Sequence, residues 1–71
     1  MSDIESNRLL RMRGVIEVTG LTKSTVYRLE AAGVFPRRVR LSPRTSAWRA
    51  SEVLEFIRSR PTVGEQPQVV A

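Results

Sequence analysis

A short segment, Gly20-Leu21-Thr22, separates two stretches with helical periodicity and leaves few folds open to this chain. Glycine ends helices because it adopts the left-handed conformation without strain, and a threonine hydroxyl can accept a hydrogen bond from the first turn of the next helix. The pattern predicts helices over Arg13–Thr19 and Lys23–Ala32, the second ended by Gly33. Two short helices joined in this way are typical of a helix-turn-helix, although many helical hairpins that bind nothing share the pattern.

Each predicted helix has one apolar side. At about 100° per residue, Val15, Ile16 and Val18 of the first helix share a face with Thr19. In the second helix, Val26 lies on one side with Leu29, so that side is expected to pack. The side chains that point outward are Arg13 and Glu17 in the first helix and Ser24, Tyr27, Arg28 and Ala31 in the second.

Beyond Gly33, apolar residues recur at every second position, as they do in a β-strand. The alternation over residues 38–41 predicts a strand with Val39 and Leu41 inward and both arginines outward. A turn over residues 42–45 and a returning strand over residues 46–49 complete a β-hairpin, with proline suited to the second turn position. We expect Arg44 near the hairpin tip and Trp48 inward. A basic hairpin directly after a helix-turn-helix describes a wing.

Two more elements flank this core. The apolar stretch from Arg8 to Met12 is compatible with one short strand. Ser51 is expected to cap a last helix over Glu52–Arg60, which Pro61 ends, and Glu52 suits the positive end of that helix. Its inward face is predicted to consist of Val53, Leu54, Phe56 and Ile57.

The organisation predicted is one domain over residues 8–60 between disordered tails at residues 1–7 and 61–71. Residues 1–7 are polar and acidic, unlike a secretory signal, and no apolar run approaches the roughly 20 residues that span a bilayer. We therefore expect a cytoplasmic, nucleoid-associated protein with no membrane contact.

Charge is unevenly distributed along the chain. All 12 basic residues lie between Arg8 and Arg60, with four acidic residues among them, so this segment carries +8 while the whole chain carries +5. Eleven of the 12 are arginines, whose planar guanidinium suits phosphates and guanine edges. The distribution favours a nucleic-acid-binding domain, with an inert basic surface as the alternative. Because the sequence has four aromatic residues, most of them expected in the core, no base-stacking platform for RNA is predicted.

The residue types also bear on catalysis. The chain has no cysteine and no histidine, which excludes disulfides, imidazole catalysis and nearly every zinc site. Glu52 and Glu55 share an exposed helix face rather than forming a productive carboxylate pair, and no glycine-rich phosphate loop occurs. We expect no enzymatic activity and no cofactor, metal or small-molecule ligand.

The order of these elements resembles the AlpA family, small prophage-associated regulators with a winged helix-turn-helix of the MerR-like and excisionase-like type. The resemblance covers Leu9–Ile57. It implies a mainly α fold of three short helices plus a β-hairpin wing, sequence-specific DNA binding and transcription regulation, in some members of integrase genes. Pro43 and Ala47 depart from the family pattern at the wing. The residues that carry the resemblance are Val15 through Thr19-Gly20-Leu21-Thr22-Lys23-Ser24-Thr25-Val26-Tyr27-Arg28-Leu29, Gly33, Phe35-Pro36, Val39-Arg40-Leu41, Trp48-Arg49 and Ser51-Glu52-Val53.

The second helix is expected to be the recognition helix in the major groove of double-stranded DNA. Arg28 is the best candidate for a base contact, with a phosphate contact or a solvated charge as the alternative. Tyr27 is expected either to contact a phosphate or thymine methyl or to pack partly on the core. Lys23, Ser24 and Thr25 lie in the first turn, where such helices meet DNA.

The wing and the loop before it are expected to contact phosphates or the adjacent minor groove. Arg49 either contacts DNA or braces the wing, and Trp48 is interpreted as core rather than as a base-stacking residue. The candidate residues of this region are Arg37, Arg38, Arg40, Arg44, Thr45 and Arg49.

The sequence is compatible with three functions: a regulator, an excisionase that bends attachment-site DNA and recruits an integrase, and a protein-interaction module that does not bind DNA. One small domain reads few base pairs, and no heptad pattern follows the last helix. We therefore expect a monomer in solution that assembles with itself on repeated sites. An integrase or RNA polymerase is a further candidate partner.

Overall fold

The structure is a computed structural model that describes residues 8–63. These residues form three short helices and a three-stranded antiparallel sheet, a winged helix-turn-helix, and the predicted fold class is confirmed. The elements, in chain order, are β1 (Leu9–Leu10), α1 (Met12–Thr19), α2 (Lys23–Ala31), β2 (Val39–Ser42), β3 (Thr45–Arg49) and α3 (Ala50–Arg58).

The turn between α1 and α2 forms as its residues predict. Gly20 ends α1 with φ of 76°, in the left-handed region that favours glycine. The hydroxyl of Thr22 accepts a hydrogen bond from the backbone N–H of Thr25 at 3.2 Å, which caps α2. The turn itself is closed by Thr19, whose hydroxyl accepts a hydrogen bond from the N–H of Leu21 at 3.1 Å. The angle between the two helices is therefore held by local hydrogen bonds.

Strand β3 lies in the centre of the sheet, in the order β1-β3-β2. The predicted hairpin is present, with Val39 opposite Ala47. Strand β1 adds a third member, with Leu10 opposite Trp48, and the N–H of the first residue of α3 donates to the carbonyl of Arg8 at 2.7 Å. The start of α1 is thus attached to the same sheet as the wing.

The wing contains a β-bulge that changes the direction of Leu41. Arg40 pairs with Ser46 and Ser42 pairs with Thr45, so Leu41 is an extra residue between two registered pairs. Its side chain is 49% exposed. The prediction that Leu41 points inward is wrong because a bulge interrupts the alternation on which the prediction was based.

The core is small and centres on Trp48. The side chains of Val18 and Leu54 are each 46% exposed, so the predicted inward faces of α1 and α3 are too wide. A helix of two turns offers only a narrow stripe to such a core, and Val15 occupies that stripe in α1. The cluster of buried residues is Val15, Val26, Phe35, Trp48 and Val53, and Leu10, Met12, Leu21, Leu29, Phe56 and Ile57 pack against it.

Helix α3 begins directly after the sheet. Arg49 is its N-cap residue and makes no side-chain capping hydrogen bond, while Ser51 lies inside the first turn. The predicted cap at Ser51 is therefore wrong, because the last strand leads into the helix with no intervening loop. Glu52 does lie in the first turn, where the helix dipole favours an acidic side chain.

The expected disordered tails lie outside the described residues, except for residues 61–63, which form neither helix nor strand. Within residues 8–63, no helix has the length and apolar character needed to cross a membrane.

Candidate nucleic-acid interface

The outward face of α2 carries the side chains expected there. Lys23, Ser24 and Arg28 are exposed, and within residues 8–63 neither Lys23 nor Arg28 has an acidic partner. Thr25 is half-buried, and its hydroxyl accepts a hydrogen bond from that of Thr22 at 2.8 Å. This face therefore presents two uncompensated cations and several hydrogen-bonding groups on a short helix.

Tyr27 has a partly packed position at the edge of this face. Its ring centroid lies 6.5 Å from that of Trp48, and the guanidinium carbon of Arg38 lies 5.1 Å from the Tyr27 centroid. The side chain is nevertheless 40% exposed. The ring is thus fixed by neighbours on both the core and the wing while one edge stays open to solvent.

A concave surface of about 500 Å³ connects the start of α1, Tyr27 of α2 and the tip of the hairpin. We call it the basic cleft, because four of its lining side chains are arginines and none is acidic. Its lining residues are Arg11, Met12, Arg13, Tyr27, Arg38, Pro43, Arg44, Ser46 and Trp48. The structure therefore brings together three of the predicted site residues, namely Tyr27, Arg38 and Arg44.

Arg11 and Arg13 are the two arginines of the cleft that were not predicted as site residues. Both are exposed, and α1 has no acidic residue in its first turn. The sequence contained a signal that could have identified them. Basic residues at the start of a helix are unfavourable to the helix dipole, so their presence there indicates a role other than stabilising the helix. Their position beside the hairpin depends on the pairing of β1 with β3, which local patterns do not reveal.

Arg38 is the cleft arginine that already has an acidic partner. Its guanidinium donates to one carboxylate oxygen of Glu30 at 2.6 Å, and its backbone N–H donates to the other at 2.8 Å. Part of the positive charge predicted for this loop is therefore neutralised within the protein. The pair also joins the last turn of α2 to the beginning of β2.

The other wing residues occupy different positions. The guanidinium of Arg40 donates to the carbonyl of Pro43 at 3.1 Å and so supports the turn. Arg37 is exposed beside Glu30, and Thr45 is half-buried in the sheet opposite Ser42. None of these side chains lines the basic cleft.

Arg49 lies apart from the other candidates. Successive side chains of a strand point to opposite faces, so Arg49 points away from the side that Trp48 and Ser46 present to the cleft. It lines a separate hollow of about 650 Å³ together with Glu52 and Glu55 of α3. Glu52 and Glu55 therefore lie in a hollow separate from the basic cleft.

Among residues 8–63, no group of acidic side chains has an arrangement that could hold a metal ion.

The sequence is similar to a known protein family and to a phage protein. A family profile described as "Prophage CP4-57 regulatory protein (AlpA)" matches residues 8–61. A protein of Enterobacteria phage P4, described as "Uncharacterized protein ORF88", is 38% identical over 60 residues, which cover 84% of this chain and 68% of that protein. With three quarters of its length matched and the predicted fold present, the chain belongs to the AlpA family of prophage regulatory proteins.

Proposed function

We propose that this protein is a sequence-specific double-stranded DNA-binding regulator of prophage or mobile-element genes. The observation that carries the proposal is the basic cleft, which lies directly beside Tyr27 on the outward face of α2 and contains no acidic side chain. A positively charged surface next to an exposed helix suits double-stranded DNA, whose backbone is negatively charged and whose major groove accepts a helix. Membership in a family of regulatory proteins supports the same conclusion.

Base recognition is assigned to α2. The major groove of B-DNA is about 12 Å wide and accepts one helix, and the first-turn residues of such helices commonly contact DNA. Lys23, Ser24 and Thr25 occupy that turn. Arg28 is exposed and has no acidic partner within the described part of the chain, so its guanidinium is available for a bidentate contact with guanine.

The hairpin is assigned to the DNA backbone. Arg44 lies in its turn and is exposed, whereas Arg40 supports the turn from within. Arg37 and Arg38 at the base of the wing add charge near α2, although Glu30 offsets part of it. Arg49 is assigned to the wing–α3 junction rather than to DNA, because it lines a different hollow.

A domain of this size reads few base pairs, so useful affinity requires more than one copy on neighbouring sites. We propose a monomer in solution that assembles on repeated sites in the cytoplasm, at the nucleoid. RNA polymerase or an integrase is the further partner, according to whether the protein acts at a promoter or at an attachment site.

The test is selection from a random duplex pool with the full chain, followed by titration of the selected site and a scrambled site at several salt concentrations. We expect a preference of at least tenfold for the selected site and an affinity that falls steeply with salt. The control variant is Arg58→Gln, which removes one positive charge from α3, outside the cleft. It is expected to bind DNA like the wild type. Failure to enrich any sequence, with no salt-dependent binding, would refute the proposal.

Footprinting on the host genome distinguishes the two DNA-binding roles. Protection at a promoter supports transcription regulation. Protection confined to an attachment site, with a change in DNA curvature, supports an excisionase that recruits an integrase.

A further inference from the structure

We propose that the basic cleft seats adjacent phosphates of one DNA strand, with Arg11 and Arg13 on one side and Arg44 on the other. This inference rests on the proposed function and deepens it, because it names the part of the DNA that the cleft takes. It adds two residues of α1 to the interface and assigns the wing tip to the same backbone rather than to a separate groove.

The first argument is the placement of the arginines. Arg11 and Arg13 flank the start of α1, Arg44 occupies the hairpin turn, and all three line one concave surface of about 500 Å³. Guanidinium groups that share one cleft reach the same stretch of a polyanion.

The second argument is the charge balance within the cleft. Among residues 8–63, Arg11, Arg13 and Arg44 have no carboxylate within salt-bridge distance, whereas Arg38 is paired with Glu30. Three like charges in one cleft repel one another unless an anion lies among them. A phosphodiester backbone supplies such an anion without any sequence requirement.

The third argument concerns the position of Tyr27. This residue belongs both to the basic cleft and to the outward face of α2. A strand that passes through the cleft therefore runs along the flank of the helix assigned to base recognition. The cleft sets the position of α2 in the groove by holding the backbone beside it.

The experiment combines protein variants with neutral phosphate substitutions. The selected duplex is prepared with a single methylphosphonate at each backbone position in turn. The affinities of the wild type, Arg13→Gln, Arg44→Gln and Arg58→Gln are then measured for each duplex at 50 and 200 mM salt. Arg58 lies on α3, outside the cleft, and serves as the charge-matched control.

On the unmodified duplex, Arg13→Gln and Arg44→Gln are each expected to lower the salt slope by about 0.9. The affinity lost by each variant then shrinks roughly three- to fourfold between the two salt concentrations. A methylphosphonate at the contacted position is expected to remove most of the effect of either substitution. The positions at which Arg13 and Arg44 show this coupling should be the same phosphate or adjacent phosphates of one strand.

Folding can be checked independently in the Arg13→Gln variant. The substitution removes a cation from the first turn of α1, where the helix dipole favours anions, so the melting temperature is expected to stay unchanged or rise. A loss of affinity without a loss of stability therefore reports a lost contact.

Two outcomes would overturn the inference while leaving the proposed function intact. In one, the wild type selects a sequence but Arg13→Gln binds it with unchanged salt slope. In the other, Arg13 and Arg44 couple to phosphates on opposite strands. If the wild type binds no duplex at any salt concentration, the proposed function fails and this inference fails with it.

Discussion

Both carboxylate oxygens of Glu30 accept hydrogen bonds from Arg38, one from its backbone N–H at 2.8 Å and one from its guanidinium at 2.6 Å. The two residues belong to different parts of the fold, since Glu30 lies in the last turn of α2 and Arg38 precedes β2. The Arg38 guanidinium also lies over the ring of Tyr27. One carboxylate therefore ties the start of the wing to the last turn of α2.

Replacing Glu30 by alanine should lower the free energy of unfolding by about 1 kcal/mol, because Glu30 is only 13% exposed and its partner is partly screened by solvent. The measurement is urea denaturation. Glu55→Ala is the matched control, since Glu55 and Arg58 form a pair of similar length at 2.8 Å with side chains about two thirds exposed. That variant should change stability by no more than a few tenths of a kcal/mol. Equal effects of the two substitutions would contradict the structural role of Glu30.

Thr22→Ala should destabilise the domain by about 1 kcal/mol, because it removes the hydroxyl that caps α2. Ser51→Ala should have little effect, since Ser51 lies inside the first turn of α3 and caps nothing. Thermal unfolding of both variants, with Thr22→Ser as the variant that restores the hydroxyl, measures the difference. If Ser51→Ala lowers the stability more than Thr22→Ala does, Ser51 caps α3 and the start of that helix is assigned wrongly.

Arg28→Ala should reduce the preference for the selected DNA site over a scrambled site by about 1–3 kcal/mol, because a guanine contact is specific for one base pair. Arg44→Ala should weaken binding to both sites alike and lower the salt slope by about 0.9. Competition titrations with both duplexes separate these effects. If the two variants show the same pattern, the division between base-reading and backbone residues is wrong.

Trp48→Phe should cost about 1–3 kcal/mol of stability. The indole N–H donates to the partly buried carbonyl of Pro36 at 3.1 Å, and phenylalanine removes that hydrogen bond and fills less of the core. Far-ultraviolet circular dichroism in urea is the appropriate measurement, because the chain has one tryptophan and the variant loses its fluorescence. At temperatures where the variant stays folded, its DNA affinity should match the wild type, whereas stacking of Trp48 on a base predicts a loss.

Sequence reasoning succeeded where the stabilising interaction is local. Gly20 and Thr22 act within four residues along the chain, and their spacing was enough to place the turn and both adjoining helices. Trp48 was assigned to the core from strand alternation, and it is buried.

The same reasoning failed where the outcome depends on distant pairing. Leu41 points outward because Arg40 and Ser42 keep their partners across the hairpin and leave it as an extra residue. Ser51 does not cap α3, because the strand before it continues to Arg49 and the helix starts at once. Arg13 reaches the cleft through the pairing of β1 with β3, an interaction between residues nearly 40 positions apart.

Strand β3 is held on both sides, by the wing strand and by the segment from which α1 begins. The pairing with β1 involves Trp48 and Arg49, at the end of β3 farthest from the hairpin turn, and so attaches the base of the wing to the segment before α1. The base of the wing therefore has its position relative to the start of α1 before any ligand binds. In the proposed complex, we therefore expect adjustment at this junction to come from deformation of the DNA rather than from movement of the base of the wing.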